Sequence, residues 1–246
     1  MAERIVCGLH PVGRLLRGDR ERVRELYLQA GLGRRRRERL GRLSGLRVTE
    51  LSAGELEALC GTHKHQGVAA RIEAGGLLDE AAALALVAGL DRPALLLVLD
   101  GVQDPRNFGA CLRSADAAGA DLVVVPRSRN VAITPVVGKV AAGAAETQPV
   151  AAVANLARCL RGLSALGLRI VGLSDEAADS LYAEALDGPV ALVLGAEGRG
   201  LRRLTREHCD RLVSLPMCGA VESLNVSVAA GICLYEARRQ RLAAGS

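Results

Sequence analysis

Aromatic side chains are scarce in this chain of 246 residues, which contains one phenylalanine, three tyrosines and no tryptophan. A domain that reads single-stranded RNA by stacking its bases needs several exposed aromatic rings, so the composition disfavours that class. Long apolar runs are absent as well, since none reaches the roughly 18 residues that a membrane span requires. The first residues do not have the charged-then-apolar pattern of a signal peptide. We therefore expect a soluble cytoplasmic protein with no membrane partner.

Cysteines at metal-binding spacing are also missing. The seven cysteines are scattered, their number is odd and none forms a CxxC motif. Neither a disulfide framework nor a zinc site follows from this pattern, and His63 and His65 make a poor metal site without further ligands nearby. We expect reduced thiols that mostly fill the core, and no bound metal. The cysteines are Cys7, Cys60, Cys111, Cys159, Cys209, Cys218 and Cys233.

Lysine is almost absent, because all but Lys64 and Lys139 of the 32 basic residues are arginine. Against 27 acidic residues, the net charge is +5. Arginine is well suited to bind phosphate through two parallel hydrogen bonds. Two interpretations of the densest arginine cluster stay open: a solvated helix face, or a patch that contacts nucleic-acid phosphates. The cluster consists of Arg34, Arg35, Arg36 and Arg37, followed by Arg39 and Arg42.

Glycine pairs and a proline divide the chain at Gly75-Gly76 and at Arg92-Pro93. The division predicts a small α/β module over residues 1–76, a linker with a short alanine-rich helix over 77–92, and a larger domain over 93–246. Within the first module the pattern predicts a helix at 10–17, strands at 23–28 and 46–51, and a polar loop at 62–67 that leads into an edge strand at 68–72.

Strands and helices alternate in the larger domain, which favours the α/β class with a parallel sheet. Residues 94–99 are apolar on both faces, as expected of a strand inside such a sheet. A helix is predicted over 110–120, with Arg113 and Ser114 near its start, the end of a helix that favours anions. Further elements are predicted as strands at 121–125 and 169–173 and helices at 134–144 and 155–166.

Residues 190–235 contain three breaks that predict a ligand pocket. The apolar run 190–194 ends at Gly195, a second run at 212–215 ends at Pro216, and the stretch 221–227 opens into a helical pattern. Ligands of open α/β sheets bind at the carboxyl edge of the strands, and glycine allows close approach of the backbone. The loop after residues 94–99, DGVQDPRNFG, does not match the GxGxxG dinucleotide motif.

Three stretches of the larger domain together resemble the SpoU family of RNA ribose 2′-O-methyltransferases, within the SPOUT superfamily. They are Asn107-Phe108-Gly109 with Arg113-Ser114-Ala115, then LVLGAEGRGL with Leu215-Pro216, and then the run from Ser223 to Ala229. One such motif is weak, but three in this order are specific. His65-Gln66-Gly67 and the stretches around the motifs extend the resemblance over essentially the whole chain. Phe108 and Glu222 depart from the family pattern without replacing a motif residue.

The resemblance implies a catalytic domain with a trefoil knot, bound S-adenosylmethionine, a homodimer, and an N-terminal domain that binds RNA. The family's cofactor positions fall on Gly195, Leu215 and Leu224. Relatives with the most similar pattern methylate a guanosine ribose in the peptidyl-transferase centre of 23S rRNA, so 23S rRNA is the expected partner. A guanosine in tRNA and a non-catalytic RNA-binding protein stay open as alternatives.

The resemblance also implies the catalytic residues Asn107, Arg113, Glu197, Ser223 and Asn225. The family's account has Arg113 activate the ribose hydroxyl, but a guanidinium is a poor base at neutral pH, which makes a clamp on phosphate and a developing alkoxide the better role. Asn107 is expected to orient the ribose or that phosphate, unless it is only a turn residue. Glu197 is expected to anchor Asn107 or Arg113, unless it only complements a helix N-terminus. Ser223 and Asn225 are expected to cap the last helix and face the pocket.

Overall fold

The computed structural model describes residues 3–18, 20–41, 43–73, 76–129, 133–196 and 198–244. The chain divides into two compact units, Met1–Gly76 and Leu77–Ser246. Within the described ranges, each unit has its own sheet and its own apolar clusters. The α/β class expected from the sequence is therefore confirmed for both units.

The N-terminal unit is built on a mixed sheet of four strands in the order β1-β4-β2-β3, counted over the described residues. Only the β2–β3 pair is parallel, and β4 pairs antiparallel with both β1 and β2. Its elements are β1 (Glu3–Cys7), α1 (Leu9–Gly18), β2 (Val23–Gln29), α2 (Arg34–Arg39), β3 (Val48–Leu51), α3 (Ala53–Cys60) and β4 (Val68–Glu73).

The prediction that residues 68–72 form an edge strand is wrong, because β4 lies between β1 and β2. Val68, Ala69 and Ala70 are all buried, as expected of a strand with neighbours on both sides and cover on both faces. The sequence offers no evident partner for this second side, because β1 reads ERIVC and has little of an apolar strand pattern. Its pairing with β4 joins residues that are far apart in the chain.

The polar loop 62–67 has a structural task in the N-terminal unit. The side-chain Oε1 of Gln66 accepts a hydrogen bond from the backbone N–H of Leu9 at 3.0 Å, at the start of α1. His65 is buried, and its Nδ1 accepts the backbone N–H of Gly67 at 3.1 Å. Gln66 and Gly67 both have positive φ, 56° and 81°. The His-Gln-Gly sequence thus closes the turn into β4 and holds the first turn of α1.

The C-terminal unit is built on a sheet of six strands, counted over the described residues, in the order β10-β8-β9-β5-β6-β7. Every pair of neighbours is parallel. Its elements are α4 (Glu80–Ala88), β5 (Leu95–Asp100), α5 (Pro105–Ala118), β6 (Leu122–Pro126), α6 (Pro135–Ala141), α7 (Ala144–Thr147), β7 (Val150–Val153), α8 (Leu156–Ala165), β8 (Arg169–Leu173), β9 (Val190–Gly195), α9 (Arg203–Glu207), β10 (Arg211–Val213) and α10 (Val226–Ala244).

Helices cover both faces of this parallel sheet. Leu95, Leu97 and Leu99 of β5 belong to one apolar cluster, together with side chains of α5 and α10. Leu96 and Val98 belong to the other cluster, together with side chains of α4 and α8. This alternation explains why β5 is apolar at almost every position, since each face of the strand packs against a helical layer.

Residues 77–92, interpreted from the sequence as a linker, pack onto the C-terminal unit. The Leu78 N–H donates to Val150 O at 2.8 Å, and the Ala152 N–H donates to Leu78 O at 2.9 Å, which fastens this segment to β7. Ala83 and Val87 of α4 are buried in the cluster formed with α8. The chain from Leu77 onward accordingly belongs to the C-terminal unit.

Helix α5 begins five residues earlier than the sequence pattern predicts. Asp104 caps it by accepting the Arg106 N–H at 2.7 Å, and Pro105 occupies the first helical position. The prediction that Arg113 and Ser114 lie near a helix start is therefore wrong, because Arg113 lies in the third turn. The error came from assigning the Asp-Pro pair to a loop, when it is a helix start signal.

The helix predicted over 134–144 is divided into α6 and α7. Ala142 and Gly143 adopt positive φ, 52° and 96°, between them, and neither can continue a right-handed helix in that conformation.

Among the described residues, no helix is both long enough and apolar enough to span a membrane.

Candidate active site at the carboxyl edge of the parallel sheet

A cavity of about 310 Å³ opens where strands β8 and β9 end and where the chain leaves β10. Three loops meet around it: the loop after β8, the loop after β9, and the stretch between β10 and α10. The structure brings Gly195, Leu215 and Leu224, the three predicted cofactor positions, together around this cavity. Its lining also includes Ser174, Asp175, Glu176, Ala196, Gly198, Arg199, Gly200, Leu201, Met217, Glu222, Ser223 and Val226.

Gly195, at the end of β9, is required by how closely the following loop returns to the strand. A Cβ placed there would lie 2.1 Å from the carbonyl carbon of Gly200 and 2.5 Å from the backbone nitrogen of Leu201. Ala196 and Gly200 form a bridge that closes the loop, and Gly200 adopts a φ of 59°. We call residues 196 and 198–201 the pocket loop. The backbone of Gly200 and Leu201 lies against β9 because the strand ends in a residue that has no side chain.

Sequence reasoning missed the contribution of the loop after β8. Ser174, Asp175 and Glu176 line the cavity, and Glu176 forms an ion pair at 2.8 Å with Arg206 of α9. The signal was available, because these polar residues directly follow the predicted strand 169–173. Parallel strands present their carboxyl ends at one edge, so the end of this strand belongs with the two predicted strand ends at Gly195 and Pro216.

Two of the predicted catalytic side chains contact each other although they are far apart in sequence. The side-chain Nδ2 of Asn225 donates a hydrogen bond to Oδ1 of Asn107 at 3.0 Å. Ser227 donates its backbone N–H (3.0 Å) and its hydroxyl (2.6 Å) to Oδ1 of Asn225. Because a backbone N–H can only donate, the Asn225 amide has its oxygen toward Ser227 and its nitrogen toward Asn107. The orientations of both amides are thereby fixed.

Asn225 caps α10, as expected, since its Oδ1 accepts the Ser227 N–H and its carbonyl accepts the N–H groups of Val228 and Ala229. Ser223 lines the cavity, as expected, but it lies three residues before α10, so the expectation that it also caps the helix is wrong. Asn225, in contrast, is absent from the lining of the cavity. The expectation that Asn107 could be a turn residue is wrong, because it lies in the first turn of α5. Glu197 lies outside the described residues.

Arg113 is exposed on α5. Among the described residues, it forms no hydrogen bond or ion pair, so its guanidinium is available to an external anion. It lies six positions after Asn107 on the same helix, which places the two side chains about 120° apart around the helix axis. The structure brings Asn107 to Asn225 but does not bring Arg113 to either of them.

The thiols behave as core residues rather than as reactive groups. Cys111, Cys159 and Cys233 are buried, and burial raises the pKa of the Cys159 and Cys233 thiols to about 12. Burial also raises the pKa of Cys209 to about 12, and its thiol donates to the carbonyl of Thr205. Cys218 is exposed. Within the described part of the chain, no cluster of three or more His, Cys, Asp or Glu side chains is suited to hold a metal ion.

The predicted RNA-contacting arginines form the exposed surface of α2 in the N-terminal unit. The helix buries none of its residues. Arg34 pairs with Glu38 at 2.8 Å, and Arg37 pairs with Glu50. Among the described residues, Arg35 and Arg36 have no acidic partner. Arg34 to Arg37 therefore lie on a solvated helix face that keeps uncompensated positive charge, so the two interpretations offered by the sequence are compatible. Arg42 lies outside the described residues.

The C-terminal unit is a parallel α/β domain with a pocket at its carboxyl edge and an asparagine pair beside that pocket. It therefore belongs to the class of α/β domains that bind a ligand at the carboxyl edge of the sheet. The chain is a member of the SpoU rRNA Methylase family, whose model matches residues 94–235. A second model, described as RNA 2′-O ribose methyltransferase substrate binding, matches residues 5–75. The two matches lie in the two structural units.

Individual relatives are similar over nearly the full length. The 23S rRNA (guanosine-2′-O-)-methyltransferase RlmB of Ralstonia nicotianae is 50% identical over 244 residues, which are 97% of this chain and 96% of the relative. The structure of the SpoU methyltransferase AviRb from Streptomyces viridochromogenes in complex with AdoMet aligns with a TM-score of 0.72 at 26% identity. The alignment covers 98% of this chain and 91% of the AviRb chain. The A. aeolicus TrmH/SpoU tRNA modifying enzyme aligns with a TM-score of 0.57 at 30% identity. The alignment covers 66% of this chain and 83% of that enzyme.

Proposed function

We propose that this protein transfers the methyl group of S-adenosylmethionine to the ribose 2′-hydroxyl of a guanosine in 23S rRNA, in its peptidyl-transferase loop. The observation that carries the proposal is that the second and third family motifs, in the loop after β9 and in the stretch between β10 and α10, meet at one cavity, in a chain 50% identical to a 23S rRNA guanosine methyltransferase. Since rRNA is the proposed substrate, we expect the protein to act in the cytoplasm.

The residues around the cavity are suited to S-adenosylmethionine. The volume of about 310 Å³ is at the lower end of the range for small-molecule sites. Leu215 and Leu224 supply apolar walls for a purine ring, and the pocket loop supplies backbone groups close to β9 because Gly195 has no side chain. When bound, the cofactor supplies an electrophilic methyl group on a sulfonium. The protein therefore needs mainly to hold the ribose in line with that methyl group.

The asparagine pair gives the chain a way to orient the ribose. Ser227 fixes the Asn225 amide, and Asn225 in turn fixes the Asn107 amide through the 3.0 Å hydrogen bond. Asn107 lies in the first turn of α5, where the helix dipole favours an anion. We assign Asn107 to the ribose or its adjacent phosphate, with Asn225 as its partner. Ser223 on the cavity wall and Glu197 keep the supporting roles expected from the sequence.

Arg113 is assigned to the phosphate beside the reacting ribose and to the alkoxide that develops on the 2′-oxygen. A guanidinium stays protonated at neutral pH and cannot remove the hydroxyl proton. Its positive charge stabilises the developing negative charge instead. The exposure of Arg113 and its lack of an acidic partner among the described residues support this role.

A homodimer with a knotted catalytic domain completes the proposal. Val228, Tyr235 and Leu242 are each at least half exposed on α10. They recur every seven residues and so form an apolar stripe on one side of the helix. A second copy of the chain is the partner we propose for this stripe.

Methylation of tRNA is the second candidate, favoured by the likeness to a tRNA-modifying member of the family. That likeness reaches only 66% of this chain, whereas the 23S rRNA relative matches 97% of it. A substrate in rRNA accounts for the presence of the N-terminal unit better than a substrate in tRNA does. A non-catalytic RNA-binding protein is disfavoured, because Asn107, Arg113 and Asn225 keep the family motif residues.

A competition assay tests the proposed substrate. Purified protein is first titrated with S-adenosylmethionine by calorimetry and is then given unmodified 23S rRNA and unmodified tRNA with labelled cofactor. We expect one binding site per chain and methyl transfer to 23S rRNA at least about tenfold faster than to tRNA, the ratio that 1.4 kcal/mol of discrimination produces. Faster transfer to tRNA would select the second candidate, and cofactor binding without transfer to either RNA would select the non-catalytic protein.

A further inference from the structure

The carboxylate of Asp100 is buried at the end of the central strand β5. Its side chain has no solvent exposure, and it lies in register with Gly195 of the neighbouring strand β9. A buried carboxylate is costly unless it is paired and hydrogen-bonded. Asp100 stands outside the three family motifs, and the reaction proposed above gives it no role. Its position at the edge where the cavity opens calls for an explanation.

Both oxygens of Asp100 bind one residue, Arg202. Oδ2 accepts the backbone N–H of Arg202 at 3.0 Å, and Oδ1 accepts hydrogen bonds from its guanidinium. Arg202 directly follows the pocket loop and is the residue from which α9 begins. One carboxylate therefore holds both the backbone and the side chain at the point where the pocket loop ends.

The pocket loop is consequently fixed at both ends. At its start, the Ala196–Gly200 bridge and the missing side chain of Gly195 let Gly200 and Leu201 lie against β9. At its end, Asp100 holds Arg202 against β5. Gly198, Arg199, Gly200 and Leu201, between these two attachments, all line the cavity. Besides Asp100, the loop is held by the hydrogen bonds of Arg199 and Gly200 to Ala196 and by the packing of Leu201 against an apolar cluster, and Asp100 is the attachment that fixes the residue directly after it.

We propose that Asp100 is a positioning residue that acts through Arg202 to keep the pocket loop in the conformation that binds S-adenosylmethionine. The inference rests on the proposed function, because it names the cofactor that the loop is shaped to hold. Asp100 is absent from the cavity lining, and its side chain has no solvent exposure through which to reach a substrate. Its effect is on cofactor affinity, whereas Asn107 and Arg113 act on the methyl transfer itself.

A second buried aspartate in the same sheet provides the matched control. Asp121 precedes β6 at the amino edge, where it accepts the Leu95 N–H at 2.9 Å and pairs with Arg92. Like Asp100, it binds a backbone N–H and a guanidinium and is almost fully buried. The two aspartates differ in the edge of the sheet that they hold. If both aspartates are purely structural, replacing either one should change the affinity for S-adenosylmethionine equally. If Asp100 positions the pocket loop, its replacement should lower that affinity more.

The test compares Asp100→Asn with Asp121→Asn in the full-length protein. Asparagine has one acceptor oxygen and no charge, so each variant weakens its pairing with arginine. Thermal midpoint, calorimetric Kd for S-adenosylmethionine, and kcat and KM with 23S rRNA are measured for both. We expect similar falls in thermal midpoint, and a rise in Kd and in KM for the cofactor of at least about tenfold in Asp100→Asn alone. Its kcat at saturating cofactor should stay within about threefold of wild type, since only uniform binding is weakened.

If Asp100→Asn does not fold, Arg202→Lys replaces it in the same measurements. Lysine keeps the charge and the backbone N–H but lacks the forked guanidinium, so we expect a smaller rise in Kd in the same direction. The inference is overturned if the folded Asp100 or Arg202 variant binds the cofactor with wild-type affinity, or if Asp121→Asn weakens binding equally. Failure of the wild-type protein to bind S-adenosylmethionine would instead contradict the proposed function.

Discussion

The two units of this chain use polar residues in opposite ways. In the N-terminal unit, the arginines of α2 lie on the surface and only some have acidic partners. In the C-terminal unit, Asn107, Asn225 and Asp100 are fixed by hydrogen bonds at one edge of the sheet. Exposed like charges produce an attraction for phosphate that depends little on geometry. Fixed polar groups instead supply orientation, which methyl transfer from an activated donor requires. The comparison predicts that the N-terminal unit supplies affinity for RNA and that the C-terminal unit carries out the methyl transfer.

The largest expected effect is that of Arg113→Ala in the C-terminal unit. Loss of the cation beside the reacting ribose should lower kcat by about 10³-fold, the upper end for removal of one charge-stabilising group. The Kd for S-adenosylmethionine, measured by calorimetry, should not change, because Arg113 is absent from the cavity lining. Arg161→Ala, an exposed arginine on α8, is the control and should keep full activity. An equal loss of cofactor affinity in Arg113→Ala would make this arginine a structural or cofactor-binding residue.

The next effect is that of Gly195→Val on cofactor binding. Any Cβ at this position would overlap the backbone of Gly200 and Leu201, so the side chain should displace the pocket loop and fill space that the ligand needs. We expect no measurable binding of S-adenosylmethionine by calorimetry. The control is Gly188→Val, near the other end of β9, where a Cβ would meet open space. Wild-type affinity in a folded Gly195→Val protein would refute the assignment of the pocket.

Removal of the N-terminal unit separates the two activities most directly. A fragment of residues 77–246 contains the complete six-stranded sheet and both of its apolar clusters, so we expect it to fold, dimerise and bind S-adenosylmethionine. At subsaturating 23S rRNA its methylation rate should fall by about one to two orders of magnitude, because removing several phosphate-binding arginines lowers affinity by that much or more. Full-length activity of this fragment at low RNA concentration would contradict the division between the units.

The smallest effect concerns the arginines of α2. Replacing Arg34 to Arg37 with serine should weaken 23S rRNA binding and flatten the slope of log K against log salt by roughly 0.7 to 0.9 for each phosphate that is no longer neutralised. Arg35→Ser/Arg36→Ser should account for most of this change, since Arg34 and Arg37 have acidic partners. The matched pair Arg34→Ser/Arg37→Ser is the control. An unchanged salt slope in the fourfold variant would leave the cluster as a solvated surface only.

Much of the fold and the site could be predicted where the signal is local. The strands β5 and β9 are continuous apolar runs that end in a polar residue or glycine, and the break after β9 identified the edge with the cavity. The start of α5 was missed although Asp104 and Pro105 are a local signal. The pairing of β1 with β4 and the contact between Asp100 and Arg202 could not be predicted, because each joins residues far apart in the chain. An aspartate at the end of a strand does not indicate its partner.

The location of the transferred methyl group tests the proposed function most directly. Unmodified 23S rRNA is incubated with the protein and S-adenosylmethionine, digested, and analysed by mass spectrometry, with Arg113→Ala as the blank. We expect one 2′-O-methylguanosine, in a fragment from the peptidyl-transferase loop, that is absent from the blank. A methyl group on a base or on another nucleoside would contradict the proposed function, whereas the same level of 2′-O-methylguanosine with Arg113→Ala would contradict the role of Arg113.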